Sequence, residues 1–277
     1  MPNFRVTYTV SNVTSSVVAP MGLNTPHAMS EGVEVIGGKG HEIFEGHTQQ
    51  PALLIEPSNG SMQLVYSFKE NGGEAYADSM FQPKASRFTV AAEALVEETQ
   101  AIEPDADPLT RATAIACATA QRFTYGHPKD KFTDGQEQVP ALGCGIAEGS
   151  CVDINTYFMA ALRSVGIEAG YLTGFFFPAE KGNYCTDGHC WVTTRHQGKT
   201  YEWDIAHHIK MGTRDIKPGL NPKPGFRAAA YHSMGLDFPE IGVKDHKALI
   251  EPGQLVDGKI KSFNAPDIRL HHPDIAN

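Results

Sequence analysis

The sequence has little that would direct it to a membrane or to nucleic acid. No apolar run approaches the roughly 18 residues of a membrane-spanning helix, and the most apolar stretch, residues 171–177, is interrupted by Thr173 and Gly174. Lysine and arginine number 23 against 32 acidic residues, which gives the 277-residue chain a net charge of −9, and they form no dense basic stripe. We therefore expect no nucleic-acid partner and no membrane partner.

Cysteines are too few and too irregularly spaced to predict a disulfide framework. The first residues also lack the basic and then apolar segments of a secretory signal, so we expect a cytoplasmic location in which thiols stay reduced. The five cysteines are Cys117, Cys144, Cys151, Cys185 and Cys190. Each could be an inert core thiol, a metal ligand or a nucleophile, and this choice decides the function.

Residues 1–89 have the pattern of β structure. Apolar and polar side chains alternate over residues 4–10 and again over 62–68, which is the period of a half-buried strand. No catalytic spacing occurs in this region. We predict an N-terminal β-rich accessory domain over residues 1–89 and a catalytic core with an extended C-terminal segment over residues 90–277.

The second unit is predicted to be α+β. From Cys151 onward, apolar residues recur on one helical face at Ile154, Phe158 and Leu162, and Gly166 is suited to end the helix. Strands that follow such a helix favour an antiparallel sheet packed against it. The other predicted elements are helices over 90–102 and 108–123, an irregular loop over 126–149, and strands over 171–177, 190–194 and 201–205. From 212 onward we predict an extended region with short strands, which ends in a loose tail.

A cysteine begins the clearest helix of the chain, in the segment Gly149-Ser150-Cys151. The unpaired N–H groups and the positive end of the helix dipole favour an anion at this position. The anion that matters here is a thiolate, because the thiolate and not the thiol is the nucleophile. Cysteines at helix starts are also structural, so the position alone leaves both roles open.

A histidine and an aspartate lie on the next predicted strands. His189 begins the strand that contains Trp191, and Asp204 follows Trp203 at the end of the strand after it. Their spacing suits adjacent antiparallel strands joined by a short turn, which would bring the two side chains together. With Cys151 they have the order of nucleophile, base and orienting acid of a catalytic triad.

These three segments resemble the transglutaminase-like superfamily, a papain-related group that includes transglutaminases and bacterial cysteine peptidases. In that family a Gly-x-Cys segment starts a helix, a histidine precedes an aromatic-rich strand, and an aspartate follows an aromatic residue on the next strand. The resemblance covers about residues 105–210. It implies a papain- or transglutaminase-like core with Cys151 as nucleophile, His189 as general base and acid, and Asp204 as the carboxylate that orients His189.

Other residues near these segments are weaker candidates. We expect Asp153, in the first turn, to cap the helix. Cys190 and Cys144 both fit the role of small buried apolar residues, while His207 and His208 could line the cleft. The candidates for the cleft or the oxyanion site are Ser150, Cys144, Tyr125, Trp191, His207 and His208.

Acyl transfer on an amide bond is the function that these residues favour. Cys151 attacks the carbonyl carbon, His189 protonates the leaving amine, and a thioester forms. We expect water to resolve it, which gives hydrolysis of a peptide or small amide. The alternatives are transamidation, which crosslinks proteins, and a non-catalytic peptide-binding or metal-binding module. We predict no metal, because the cysteines lack the Cys-x2-Cys pairs of structural zinc sites, and no cofactor, because thiol and imidazole supply the chemistry.

Overall fold

The computed structural model describes residues 3–58, 60–82 and 84–275. The predicted domains, 1–89 and 90–277, therefore extend at their outer ends, 1–2 and 276–277, beyond the described residues. The helices are α1 (Glu93–Gln100), α2 (Pro108–Gln121), α3 (Cys151–Ser164) and α4 (Ile205–Lys210). The strands are β1 (Asn3–Ser11), β2 (Val17–Ala19), β3 (Ala28–Ile36), β4 (Gly38–Phe44), β5 (Pro51–Pro57), β6 (Ser61–Glu70), β7 (Phe123–Tyr125), β8 (Ala147–Gly149), β9 (Glu168–Pro178), β10 (Tyr184–Cys185), β11 (Gly188–His196), β12 (Lys199–Trp203), β13 (Gly225–His232), β14 (Leu236–Phe238), β15 (Val243–His246), β16 (Gly253–Val256), β17 (Lys259–Ser262) and β18 (Asp267–His271).

The N-terminal β structure predicted from alternation is confirmed. In β1 the side chains of Phe4, Val6 and Tyr8 are buried, and β1 pairs with β6 so that Phe4 lies opposite Phe68. One five-stranded sheet has the order β10-β18-β1-β6-β3, and a second has the order β17-β16-β2-β5-β4. Residues from both sheets share one apolar cluster, so each sheet buries its apolar face against the other layer.

Strands from the C-terminal end of the chain complete these two sheets. β18 pairs with β1, and β16 pairs with β2. The same apolar cluster also includes Phe175 and Phe177 of β9 and Ala228 of β13, so the N-terminal layer packs directly on the sheet that contains β9 and β13. The boundary at residues 89 and 90 stays a prediction, but the chain returns to the N-terminal sheets after the core.

The central sheet and its helix confirm the α+β fold. Four antiparallel strands in the order β12-β11-β9-β13 form the sheet, and α3 packs on it with Ile154, Phe158 and Leu162 fully buried. Asn155 of α3 donates a hydrogen bond of 2.9 Å to the carbonyl oxygen of Cys190 in β11. Gly166 has a φ of +78°, the left-handed conformation that commonly ends a helix.

Two sequence predictions differ from the structure at the edge of this sheet. The predicted strand over 201–205 is wrong at its end, because Asp204 caps α4 by accepting a hydrogen bond from the N–H of His207; aspartate is a favoured helix N-cap. The extended region predicted from 212 onward contains β13, which pairs with β9 and forms the fourth strand of the central sheet.

Gly174 lies at the closest approach of three strands. In β9 it is opposite His189 of β11, and a β-carbon at this position would lie only 2.0 Å from the carbonyl oxygen of Ala228 in β13. In the sequence Gly174 is only an interruption of an apolar run. In the structure it allows the backbone of β13 to pack close to the strand that supports His189.

No described helix combines the length and the apolar character needed to cross a membrane. The cytoplasmic location stays a prediction.

Candidate active site

Cys151 is the first residue of α3, and a short capping arrangement fixes its position. The N–H and the hydroxyl of Ser150 donate to Asp153 Oδ2 at 3.0 and 2.9 Å. The capping role predicted for Asp153 is therefore confirmed. Both donors of Ser150 are used by Asp153, so the structure gives Ser150 a structural role at the helix start in place of the oxyanion role considered for it.

His189 and Asp204 form a short, buried hydrogen bond. The distance between His189 Nε2 and Asp204 Oδ2 is 2.7 Å, and only 6% of His189 and none of Asp204 is exposed. This bond fixes the orientation of the His189 ring. It leaves Nδ1 as the nitrogen that can exchange a proton with a nucleophile. The pairing of β11 with β12 brings the two residues together, as their spacing in the sequence predicted.

Cys151 and His189 meet in one cleft. Both side chains line it, and the neighbouring imidazole lowers the pKa of the Cys151 thiol. Burial disfavours the charged imidazole, but attraction to Asp204 and the contacts with Asp204 and Cys151 outweigh it and raise the pKa of His189 to about 9. The structure thus brings together the three residues predicted to form the triad.

A second thiol also contacts the nucleophile. Hydrogen bonding from the Cys190 side chain is the largest influence on Cys151 and, with the contact to His189, holds the pKa of the Cys151 thiol well below its usual range despite burial. Cys190 is fully buried, and burial raises the pKa of its own thiol. Cys190 is therefore the buried apolar residue that the sequence indicated, but it also stabilises the Cys151 thiolate.

Asp204 collects more cationic and polar partners than the sequence predicted. Arg227 Nη2 donates to Asp204 Oδ2 at 2.6 Å, and the backbone N–H of His207 donates to Asp204 Oδ1 at 3.0 Å. Burial favours the neutral acid, but the charges of His189 and Arg227 hold the pKa of Asp204 well below its usual range. The arginine also lies over the Trp191 ring, 4.4 Å from its centroid. The sequence analysis did not identify Arg227. Its one distinguishing feature in the sequence is that it is a charged residue within an apolar run.

His207 and His208 have different roles. The ring of His207 stacks on that of His189, with centroids 4.3 Å apart and an interplanar angle of 7°, and His207 lines the cleft. Burial lowers the pKa of His207 to about 4, so this ring is neutral at pH 7. His208 Nδ1 lies 2.8 Å from the carbonyl oxygen of Asp204, and His208 is not among the residues that line the cleft.

The remaining candidates are divided by their position relative to the cleft. Tyr125 lines it, and Lys210 Nζ lies 4.0 Å from the centroid of the Tyr125 ring. Trp191 is buried beneath the site against Arg227 and does not line the cleft. Cys144 is exposed and lies outside the cleft, so the prediction of a buried residue at this position is wrong. Of the six weaker candidates, only Tyr125 and His207 are therefore in position to contact a substrate.

The ligand atoms of His189, Asp204 and His207 lie within 4.8 Å of one another, which is compact enough to consider a metal ion. However, Arg227 Nη2 and His189 Nε2 both lie at hydrogen-bond distance from the same oxygen, Asp204 Oδ2. A guanidinium at this oxygen competes with any cation for the carboxylate. These contacts favour Asp204 as a carboxylate that orients the His189 imidazole over Asp204 as a metal ligand.

The lowered pKa of Cys151 predicts unusual reactivity at acidic pH. We expect iodoacetamide to alkylate Cys151 at about pH 6 nearly as fast as at about pH 8, because the thiolate persists where an ordinary thiol is almost fully protonated. The rate is measured by mass spectrometry of the Cys151 peptide, with free cysteine as the reference thiol. A rate that falls with pH in parallel with that of free cysteine would contradict the thiolate assignment.

Part of the chain matches a known protein family. Residues 94–204, a range that includes all three triad residues, match the core of the transglutaminase-like superfamily. The structure of a candidate cysteine protease from Cytophaga hutchinsonii has a TM-score of 0.50 and 12% identity over 98% of both chains. The periplasmic domain of TgpA from Pseudomonas aeruginosa has a TM-score of 0.38 and 12% identity over 77% of this chain and 90% of that one. No curated protein matches the chain significantly in sequence.

Proposed function

Because residues 94–204 form a transglutaminase-like core, we propose that this protein is a cysteine-dependent enzyme that cleaves an amide bond through a thioester at Cys151. The substrate is a peptide or a small amide, and water is the acyl acceptor. The observation that carries the proposal is that Cys151 and His189 line one cleft, with His189 held at 2.7 Å from the buried Asp204.

The first half of the reaction uses the Cys151 thiolate and the protonated His189 imidazole. The Cys151 thiolate attacks the carbonyl carbon, and the N–H groups at the start of α3 stabilise the oxyanion that forms. The protonated His189 then gives its proton to the leaving amine, and the C–N bond breaks as the thioester remains. Asp204 holds the ring in place and stabilises its charge, while Arg227 and the backbone N–H of His207 donate hydrogen bonds to the Asp204 carboxylate.

The second half regenerates the enzyme. Neutral His189 takes a proton from water, the resulting hydroxide attacks the thioester carbonyl, and the acid leaves as the Cys151 thiolate and the imidazolium form again. Transamidation differs only in that a primary amine attacks in place of water. Selecting an amine requires a site that excludes water. The cleft mouth instead carries charged side chains, Glu180, Lys181, Asp187, Lys210 and Lys223, which supports water as the acceptor.

Product analysis tests the acceptor. The full chain is incubated with a library of short peptides and primary amides, with and without ethylamine, and the products are identified by mass spectrometry. We expect carboxylic acids and free amines as the main products in both conditions. A predominance of ethylamide products would show transamidation instead. No turnover of any library member, together with saturable peptide binding, would favour a non-catalytic peptide-binding module.

A further inference from the structure

A second cavity lies apart from the catalytic cleft. It has a volume of about 350 Å³ and is formed by β15, the start of β17 and parts of the loops around residues 87 and 131. It shares no lining residue with the catalytic cleft. Five cationic side chains line it, which is unusual on a chain of net charge −9: Arg87, Lys131, Lys244, Lys247 and Lys259. We name this group the cationic cavity.

The acidic residues at the cationic cavity are already engaged. Asp245 accepts a 2.6 Å hydrogen bond from the Ser86 hydroxyl and lies 3.5 Å from Arg87 Nε. Asp134 accepts a hydrogen bond of 2.8 Å from the N–H of Lys131. Asp245 is paired with Arg87 and Asp134 keeps its negative charge, so the cavity is lined by five cationic side chains and two carboxylates.

The lysines carry a local excess of positive charge. Lys247 and Lys131 share a single carboxylate, with Nζ at 3.2 and 3.9 Å from the buried Asp153. Lys244 and Lys259 are exposed and form no ion pair with any residue that the structure describes. An anion that enters the cavity therefore meets two ammonium groups without a fixed counter-charge.

One part of the wall of the cationic cavity is apolar. Phe88 is buried, and its ring lies 4.6 Å from the Arg87 guanidinium and 5.5 Å from Lys247 Nζ. Val243 and Ile260 also line the cavity. Cations held around an aromatic wall are partly oriented before a ligand binds. Cationic side chains beside an apolar surface are suited to bind a ligand that joins an anionic group to a small organic group.

We propose that the cationic cavity binds a small organic phosphate or another compact phosphate-bearing anion. Lysine ammonium groups bind phosphate oxygens as point charges, and several of them converging on one cavity favour a multiply charged anion over a monovalent one. The volume is sufficient for a small metabolite. Since the two clefts share no residue, binding at this site does not depend on the proposed acyl transfer.

Titration calorimetry of the full chain with inorganic pyrophosphate tests this site. We expect saturable binding that weakens at high salt. The double variant Lys244→Ala/Lys259→Ala should raise the Kd at least about 10-fold, because charge-assisted contacts are lost. The control Lys39→Ala/Lys217→Ala removes the same net charge at exposed lysines outside the cavity, and its Kd should equal that of the wild type.

Three results would overturn the proposal. The first is an absence of saturable pyrophosphate binding at low salt. The second is an equal loss of affinity in both double variants, which would indicate a general effect of charge. The third is tight binding of citrate together with no binding of pyrophosphate, which would assign the cavity to carboxylates instead of phosphates. Both double variants change exposed side chains, and circular dichroism checks that they fold.

Discussion

Cys151→Ala is expected to abolish amide cleavage, with a loss of turnover on the order of 10⁵-fold or more, as is found when the nucleophile of a triad is removed. Cys185 also lines the cleft, but it is buried and burial raises the pKa of its thiol, so it is a poor replacement. Cys190 contacts Cys151, but it is fully buried and burial raises the pKa of its thiol, so it stays protonated. The measurement is single-turnover product formation on the best substrate of the library.

Cys144→Ala is the matched control for this experiment. It removes a thiol that is exposed and lies outside the cleft, so its turnover should match that of the wild type. Thermal unfolding of both variants separates a lost nucleophile from a lost fold. If Cys151→Ala retained more than about a tenth of wild-type turnover, a magnitude far above that for a lost nucleophile, the nucleophile would have to be another residue.

Asp204→Asn is expected to lower turnover roughly 10⁴-fold, the size of effect seen when the acid of a triad becomes an amide. The amide cannot stabilise a charged imidazole. The pKa of His189, which is raised to about 9 with Asp204 present, should therefore fall, and the alkaline limit of activity should move to lower pH. The pH profile of turnover measures this shift, which a purely structural role for Asp204 would not produce.

The same substitution should also cost stability. Arg227 is buried and donates to Asp204, so the variant leaves its guanidinium without a counter-charge, at a cost of about 3–5 kcal/mol in the free energy of unfolding. Denaturant unfolding measures that cost. Asp215→Asn, at an exposed carboxylate that pairs with the exposed Lys217, is the control and should change neither quantity. A variant at Asp204 with normal turnover and an unchanged pH profile would remove this residue from the mechanism.

The parts of the site that could be predicted from the sequence are those set by local patterns. The helical spacing after Cys151 fixes both the helix and the position of the thiol at its start. The strand containing His189 and the strand before Asp204 are joined by a short turn, so their pairing follows almost directly from their order in the chain. The triad geometry therefore depends on contacts between elements that are close in sequence.

The parts that could not be predicted depend on long-range pairing. Arg227 reaches Asp204 only because β13 adds to β9, the strand that lies between β13 and β11. The contact between Cys190 and Cys151 depends on which face of β11 turns toward α3, and a shift of register by one residue would reverse it. The pairing of β18 with β1 likewise joins segments at opposite ends of the chain.

Mass analysis of the enzyme during turnover tests the central claim most directly. The reaction is quenched with acid, which preserves thioesters, and the intact protein and its peptides are weighed. We predict a population heavier by the mass of the acyl group, with the added mass on the Cys151 peptide and absent from the Cys144 peptide. Product formation at full rate with no acyl group on Cys151 at any time, or with the added mass on another residue, would contradict a thioester mechanism at this cysteine.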